Sequence, residues 1–183
     1  MLYTRKGDEG VTGTFGCDQR MSKSSAIAEA LGALDEINSF LGVCKMKTND
    51  QRLTTNDRQV GDIINEVQQN LFIIQAEMAG AEKTITKEKV EEVEKIIDGI
   101  EKELPPIKTF FVSGGTELAA TFDFARTVAR RAERRTVEVY EKGDRKIGEH
   151  TLAYLNRLSS LLYALARFSN KDAGIKEESP TYK

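Results

Sequence analysis

Proline, histidine and cysteine are scarce in this 183-residue sequence, at three, one and two residues. So few prolines (Pro105, Pro106, Pro180) leave room for long uninterrupted helices. A single histidine excludes the paired Glu-x-x-His ligands of a di-iron bundle, and the residue three before His150 is Ile147. No zinc-ligand spacing exists, and no nucleophile elbow supports a Ser-His-Asp triad, so His150 reads as an ordinary surface or turn residue. The two cysteines, Cys17 and Cys44, form no CxxC pair and read as free thiols in a reducing compartment. No stretch approaches the roughly 18 apolar residues of a membrane span. The opening MLYTRKGDEG holds no apolar signal core, so a cytoplasmic protein without a membrane partner is expected. Nor is there an excess of one charge: 27 basic and 29 acidic residues leave a net charge of -2, which gives nucleic acid no overall electrostatic footprint.

What is present is helical periodicity. The spacing predicts helices from Ser24 or Ser25 to about Lys45, from Asp57 as cap to about Gly80, from Thr86 as cap to Pro105, from Thr116 as cap to about Glu141, and from about Lys146 to Asn170. The second carries the cleanest seam, Val60, Ile64, Val67, Leu71, Ile74 and Met78. The third repeats it with Val90, Val93, Ile97, Ile100 and Leu104, and the fifth with Tyr154, Leu158, Leu161, Leu165 and Phe168. The polar stretch Thr48 to Asn56 reads as a connection. Short connections between long amphipathic helices predict one all-α antiparallel bundle over 25–170. A glycine-rich loop with a possible short hairpin precedes it over 1–24, and a mobile or ligand-ordered tail follows it over 171–183.

Three polar features stand apart. ARTVARRAERR places Arg126, Arg130, Arg131, Arg134 and Arg135 on the fourth helix with only Glu133 to offset them. Arg126, Arg130 and Arg134 share a face beside Ala125, Ala129 and Ala132. Such a helix repels itself unless acidic neighbours, a polyphosphate or nucleic acid compensates it, and arginine matches phosphate oxygens bidentately. The loop TRKGDEGVTGTFG offers backbone N–H groups to an anion, with Lys6 or Lys23 nearby, though it lacks the GxxxxGK[ST] spacing. Third, Asp35 and Asn156 lie on helices next to apolar residues; a carboxylate there wants a cation from the fourth helix, and both read equally as structural groups or ligand contacts.

Taken together, YTRKGDEGVT, GALDEINSFLG, FFVSGGTELAA, ARTVARRAERR and YLNRLSSLLYALAR, in that order from Tyr3 to Arg167, resemble the PduO-type ATP:cob(I)alamin adenosyltransferases. The resemblance implies a five-helix, ferritin-like bundle that assembles as a homotrimer with active sites between subunits. It implies transfer of the 5′-deoxyadenosyl group of ATP to the cobalt of a reduced corrinoid such as cobalamin, with release of triphosphate. ATP with Mg²⁺ and the corrinoid are then substrates. Thr4, Arg5, Gly7, Asp8, Gly10 and Thr12 resemble the ATP loop, and Lys23 its phosphate-binding lysine. Arg130, Glu133 and Arg134 resemble the residues holding ATP and its Mg²⁺-bound phosphates, Mg²⁺ being carried mainly by the phosphates with Glu133 as a candidate ligand. Asn156 resembles a nucleotide contact. Asp35 and Arg126 resemble an intersubunit salt bridge near the corrinoid, and Phe110 the aromatic that displaces the corrinoid's lower ligand. A flavin or flavoprotein reductase and an adenosylcobalamin-dependent enzyme are the implied further partners. Three positions depart from the family pattern: Ser113 for proline, Asp123 for histidine and Ser160 for aspartate. Two other readings compete: a nucleic-acid-binding bundle and a corrinoid-binding chaperone without catalysis.

Overall fold

A computed structural model describes residues 3–14, 20–51 and 53–182, apart from the side chains of 49–51. Cys17 lies outside the described residues. Two short strands, β1 (Val11–Thr12) and β2 (Met21–Ser22), pair antiparallel and close the N-terminal loop into a small hairpin. Helix α1 (Ala26–Gln51) follows, then a second hairpin of β3 (Thr54–Thr55) and β4 (Arg58–Gln59), and then α2 (Val60–Met78), α3 (Lys87–Glu103), α4 (Glu117–Glu141) and α5 (Glu149–Asp172). The chain folds as the expected all-α five-helix bundle. Helix α4 packs against both α1 and α5, α2 packs against α1, and α3 packs against α5.

One hydrophobic cluster draws on all five helices. The predicted seam of α2 is buried at all six positions, and that of α5 at all five. Burying each such Leu, Ile or Val side chain contributes about 1.5–3 kcal/mol relative to exposure. In α1, Ala30, Leu34, Ile37, Leu41 and Cys44 point inward, while Ile27 and Leu31 pack at the margin. The Cys44 thiol is pushed up to about 12 by burial, so it behaves as a small apolar side chain. Among the polar groups in the core, the Tyr154 hydroxyl accepts from Asn70 Nδ2 at 3.1 Å, and Lys89 Nζ donates to Asn70 Oδ1 at 2.6 Å. That chain joins α5, α2 and α3 and satisfies the phenol that burial would otherwise penalise.

Several boundaries differ from the sequence expectation. Helix α1 runs six residues past Lys45, because buried Thr48 bonds its hydroxyl to Lys45 O at 2.8 Å and so satisfies itself inside the helix. Asp57 is no cap. Asn56 and Asp57 both take positive φ (51° and 57°), the geometry of a two-residue hairpin turn. The Asn56 amide then donates to Ile96 O at 3.1 Å across α3. The first free N–H of α2, that of Val60, is taken by Leu53 O at 2.9 Å. In α3 the inward residue is Ile96, with Ile97 only partly buried, and Thr86 precedes the helix without a side-chain capping bond. Thr116 does cap α4, its hydroxyl accepting from Ala119 N–H at 3.0 Å.

Helix α5 starts at Glu149 rather than Lys146, and buried Glu77 of α2 explains the place. Its carboxylate accepts from Gly148 N–H at 2.9 Å and from the Thr151 hydroxyl at 2.6 Å. An acidic side chain at a helix N-terminus satisfies orphan donors and complements the helix dipole. We expect Glu77→Ala to lose about 1–3 kcal/mol, since it leaves buried donors without an acceptor. Urea unfolding should show a lower midpoint with an unchanged slope.

Candidate active site

Helix α4 carries its arginines around an alanine seam. Ala125, Ala129 and Ala132 are fully buried, so the helix sits close to its neighbours and the arginine stems emerge at the edges. The arginines then divide by partner. Arg131 pairs with Glu36 of α1, and Arg135 with Glu138 at 3.0 Å. Arg126 is half-buried, with Asp123 at 4.0 Å and the Tyr163 ring 6.0 Å away. Among the described residues, Arg130 and Arg134 are exposed and take part in no ion pair. Glu133, three residues after Arg130, accepts from Asn156 Nδ2 of α5 at 2.9 Å.

Two cavities flank this face. A shallow cleft of about 310 Å³ is lined by Arg130, Glu133, Arg134, Val137, Glu138, Glu141 and Asn156. A larger cavity of about 610 Å³ lies between the segment 107–113, helices α4 and α5, and Glu177 of the C-terminal segment. Its walls are largely aromatic and aliphatic, with Phe111, Val112 and Tyr163, and its polar groups include Asp123, Arg126, Ser159 and Ser160. Arg130 lines both. Phe110 stands at the rim with 76% of its surface exposed.

The segment carrying Phe110 has no regular structure, yet it is pinned. Gly114 and Gly115 take φ of 123° and 98°, where side chains are strained. A Cβ on Gly115 would lie 2.3 Å from Asn170 Oδ1. That close approach lets Asn170 accept from Thr116 N–H at 2.9 Å and donate to Gly114 O at 2.8 Å. Asp123 accepts from Gly114 N–H at 3.0 Å. Asp123, Ser113 and Ser160, the three departures from the family pattern, all line the larger cavity.

The N-terminal loop has its own frame. Lys23 N–H donates to Gly10 O at 2.9 Å, and Lys23 Nζ to Gly7 O at 2.8 Å. A Cβ at Gly7 would lie 2.9 Å from Nζ, so a side chain there would shift the lysine tip. Arg20 donates to Lys6 O and to Val11 O. Arg5 holds a positive φ of 59°, its guanidinium 5.5 Å from the Tyr3 ring. Thr4, Asp8, Gly10 and Thr12 lie on the same loop, but none of the described loop residues lines either cavity.

Of the expected site residues, the fold therefore brings together Arg130, Glu133, Arg134 and Asn156 on one side, and Arg126 and Phe110 on the other. Asn156 is exposed at the cleft instead of enclosed in the bundle. Asp35 is exposed on α1 and meets no cation among the described residues; its neighbour Glu36 takes the α4 arginine, one residue of helical rotation away. Asp35 and Arg126 are not joined within one chain. Arg20, Asn170, Arg167 and Glu177 escaped the sequence reading. Only Arg167 left a signal there, as a charge inside the apolar run YALARF. Among the described residues no cluster of three or more His, Cys, Asp or Glu side chains could hold a metal ion. A divalent cation at the cleft would thus depend on oxygens brought by its ligand, with Glu133, Glu138 and Glu141 as the carboxylates lining it.

Burial holds the Asp123 carboxyl above the usual aspartate range, against the bond from Gly114 and the charge of Arg126. A raised folded-state value means that ionising Asp123 costs stability as pH rises from the ordinary aspartate range through that value. Asp123→Asn keeps an acceptor for Gly114 without the charge. It should be more stable than the parent at neutral pH, with the gap closing below about pH 4. Thermal unfolding across pH measures this.

The model for the family described as "Cobalamin adenosyltransferase" matches residues 2–169. The corrinoid adenosyltransferase PduO of Salmonella typhimurium is 36% identical over 99% of this chain, and this chain spans 54% of its length. A corrinoid adenosyltransferase of Bacillus subtilis is 35% identical over 95% of this chain and 89% of its own. The chain thus spans about half the length of the PduO relatives and nearly all of the Bacillus one. Among solved structures, a Phe-to-His variant of the PduO-type ATP:corrinoid adenosyltransferase from Lactobacillus reuteri, complexed with cobalamin and ATP, superposes with a TM-score of 0.87. It is 28% identical, over 99% of this chain and 97% of the other. An Arg-to-Lys variant of that enzyme, complexed with ATP, gives 0.84 at 30% identity, over 98% of this chain and 99% of the other. With a match over nearly the whole bundle and the arginine helix and glycine loop inside it, the chain belongs to the cobalamin adenosyltransferase family.

Proposed function

We propose that this chain transfers the 5′-deoxyadenosyl group of ATP to the cobalt of a reduced corrinoid. One observation carries the reading: Arg130 borders both the cleft that it lines with Arg134, Glu133, Glu138 and Glu141 and the larger apolar-walled cavity. A triphosphate in the first and a planar macrocycle against the second would meet at that guanidinium. Arg130 and Arg134 suit the phosphates because, among the described residues, neither is held in an ion pair, although Glu133, Glu138 and Glu141 line the same cleft. Asn156, held by Glu133 and by Arg157 at 2.8 Å, presents a fixed amide beside them. Mg²⁺ would arrive on the phosphates, with Glu133 completing its shell, and would neutralise charge on the leaving group.

In the reaction Co(I) supplies an electron pair to C5′ of ATP. The Co–C bond forms, the C5′–O bond breaks, and triphosphate leaves with that bond's electrons. No general base is needed, so the protein's task is positioning and stabilising the leaving charge. Phe110, exposed at the cavity rim, is free to take the place of a lower axial ligand, which eases reduction of Co(II).

The N-terminal loop, with Thr4, Arg5, Gly7, Asp8, Gly10, Thr12 and Lys23, is read as the ATP loop of a neighbouring subunit in a homotrimer. That accounts for its lining neither cavity of its own chain and for the exposed Asp35, which would pair with Arg126 across the interface. An exposed apolar patch on α1 and α4 supports self-association: Phe40 and Phe124 stack edge-on at 5.0 Å, with Val43 and Met46 exposed nearby. No helix of the described residues is long and apolar enough to cross a membrane, and a cytoplasmic setting completes the reading. The nucleic-acid alternative loses support because Arg131 and Arg135 are consumed by carboxylates, which breaks the basic stripe.

The test mixes protein, chemically reduced Co(I) cobalamin, Mg²⁺ and ATP without oxygen. Decay of the Co(I) absorbance with a light-sensitive adenosylated product is expected, and no decay would overturn the assignment. Arg130→Ala should lower turnover at least about 10²-fold with the helical circular dichroism unchanged. Turnover near that of the parent would remove Arg130 from the phosphate site. Phe110→Ala should still bind cobalamin but lose most activity from Co(II), while activity from preformed Co(I) falls far less.

A further inference from the structure

Arg167 is an arginine of α5 with only 5% of its side chain exposed. A guanidinium so enclosed needs both a counter-charge and partners for its donors. Both come from outside the helix. Nε lies 3.1 and 3.0 Å from the two carboxylate oxygens of Glu177, and Nη2 donates to Glu177 Oε2 at 3.0 Å. Nη2 also donates to Pro105 O at 3.1 Å, and the guanidinium lies 4.9 Å from the Phe111 ring centroid. Three segments distant in sequence thus converge on one side chain: α5, the segment after α3, and the C-terminal segment.

The C-terminal segment, expected to be mobile or ligand-ordered, is therefore fastened within the chain. Ile175 N–H donates to Asn170 O at 2.8 Å, the Glu177 carboxylate is 16% exposed, and Val112 N–H donates to Glu178 O at 2.8 Å. Phe110 sits between these ties, one residue before Phe111 and two before Val112. Its own ring is exposed, so its position depends on the backbone on either side.

We propose that Arg167 and Glu177 are positioning residues for Phe110. The ion pair clamps the C-terminal segment onto the 105–113 segment, completes the wall of the larger cavity with Glu177, and fixes the backbone from which Phe110 projects. The role rests on reading that cavity as the corrinoid pocket. Lysine at 167 would lose the fork that reaches Glu177 and Pro105 together and the plane that lies on Phe111.

The experiment compares the full chain with Glu177→Gln, Glu177→Asp and Arg167→Lys. Hydrogen exchange reads the clamp without any reaction. Glu177→Gln should speed exchange over 109–113 at least about tenfold while α1 to α5 stay protected, which also shows the fold is intact. Glu177→Asp should restore part of the protection. Kinetics read the positioning: in Glu177→Gln and Arg167→Lys, KM for cobalamin should rise with KM for ATP unchanged, and the Co(II)-start rate should fall more than the Co(I)-start rate. Unchanged exchange overturns the clamp. Faster exchange with unchanged cobalamin KM and unchanged rate ratio overturns the positioning of Phe110. A parent chain that does not adenosylate cobalamin overturns the enzyme reading and the positioning with it, and exchange alone then decides whether the clamp exists.

Discussion

Everything at this site depends on one helix that must be core and charge carrier at once. Helix α4 lies between α1 and α5 and buries Ala125, Ala129 and Ala132 completely. Alanine keeps the inter-helix distance short, so arginines one position away on the helical wheel clear the interface and reach its edges with their alkyl stems. Larger residues at those positions would push α1 and α5 outward and separate Glu133 from Asn156, whose bond spans α4 and α5 at 2.9 Å. The small seam fixes the width of the cleft, and the cleft then sets where Arg130 and Arg134 stand.

A contrast in charge pairing follows from that placement. Around the segment bearing Phe110 a charge pair is enclosed, Arg167 with Glu177. Such groups cost much to separate, so they suit a wall that must keep its shape. At the cleft, Arg130 and Arg134 are exposed without carboxylate partners among the described residues. Exposed cations cost little to keep hydrated and remain available to an incoming anion. The same residue type thus builds a wall where it is paired and enclosed, and under the proposed function a binding surface where it is neither.

The bundle was legible in the sequence because its seams follow helical spacing closely, most plainly in α2 and α5. The arginine run was legible as well, since five arginines beside alanines have few structural explanations. What escaped reading are the places where one side chain reaches far along the chain. Thr48 extends α1 through a bond to its own helix backbone, which a polar residue near a helix end does not advertise. Asn56 and Asp57 form a hairpin turn whose identity depends on strands only two residues long. Asn170 and Arg167 act on residues 56 and 62 positions earlier, so no local pattern encodes their roles. For Asp35 a cation of the fourth helix is the expected partner, and within the chain helical rotation gives that contact to Glu36. Neighbours 100° apart on a helix are easily exchanged when the partner's position is unknown.

The position of Arg130 between the two cavities has a consequence for the proposed chemistry. A displacement at C5′ needs the nucleophile and the leaving oxygen on opposite sides of one carbon. The macrocycle and the triphosphate must then approach from different directions, yet the reacting atoms must stand roughly 3–3.5 Å apart. A side chain bordering both spaces can hold the leaving phosphate and also limit how far the macrocycle enters. A planar guanidinium suits this boundary better than an ammonium, because its fork can bind phosphate along an edge while its weakly hydrated face lies against an apolar ring system. On this reading Arg130 sets the distance across which the new bond forms, while Arg134 and Asn156 set the direction in which triphosphate departs.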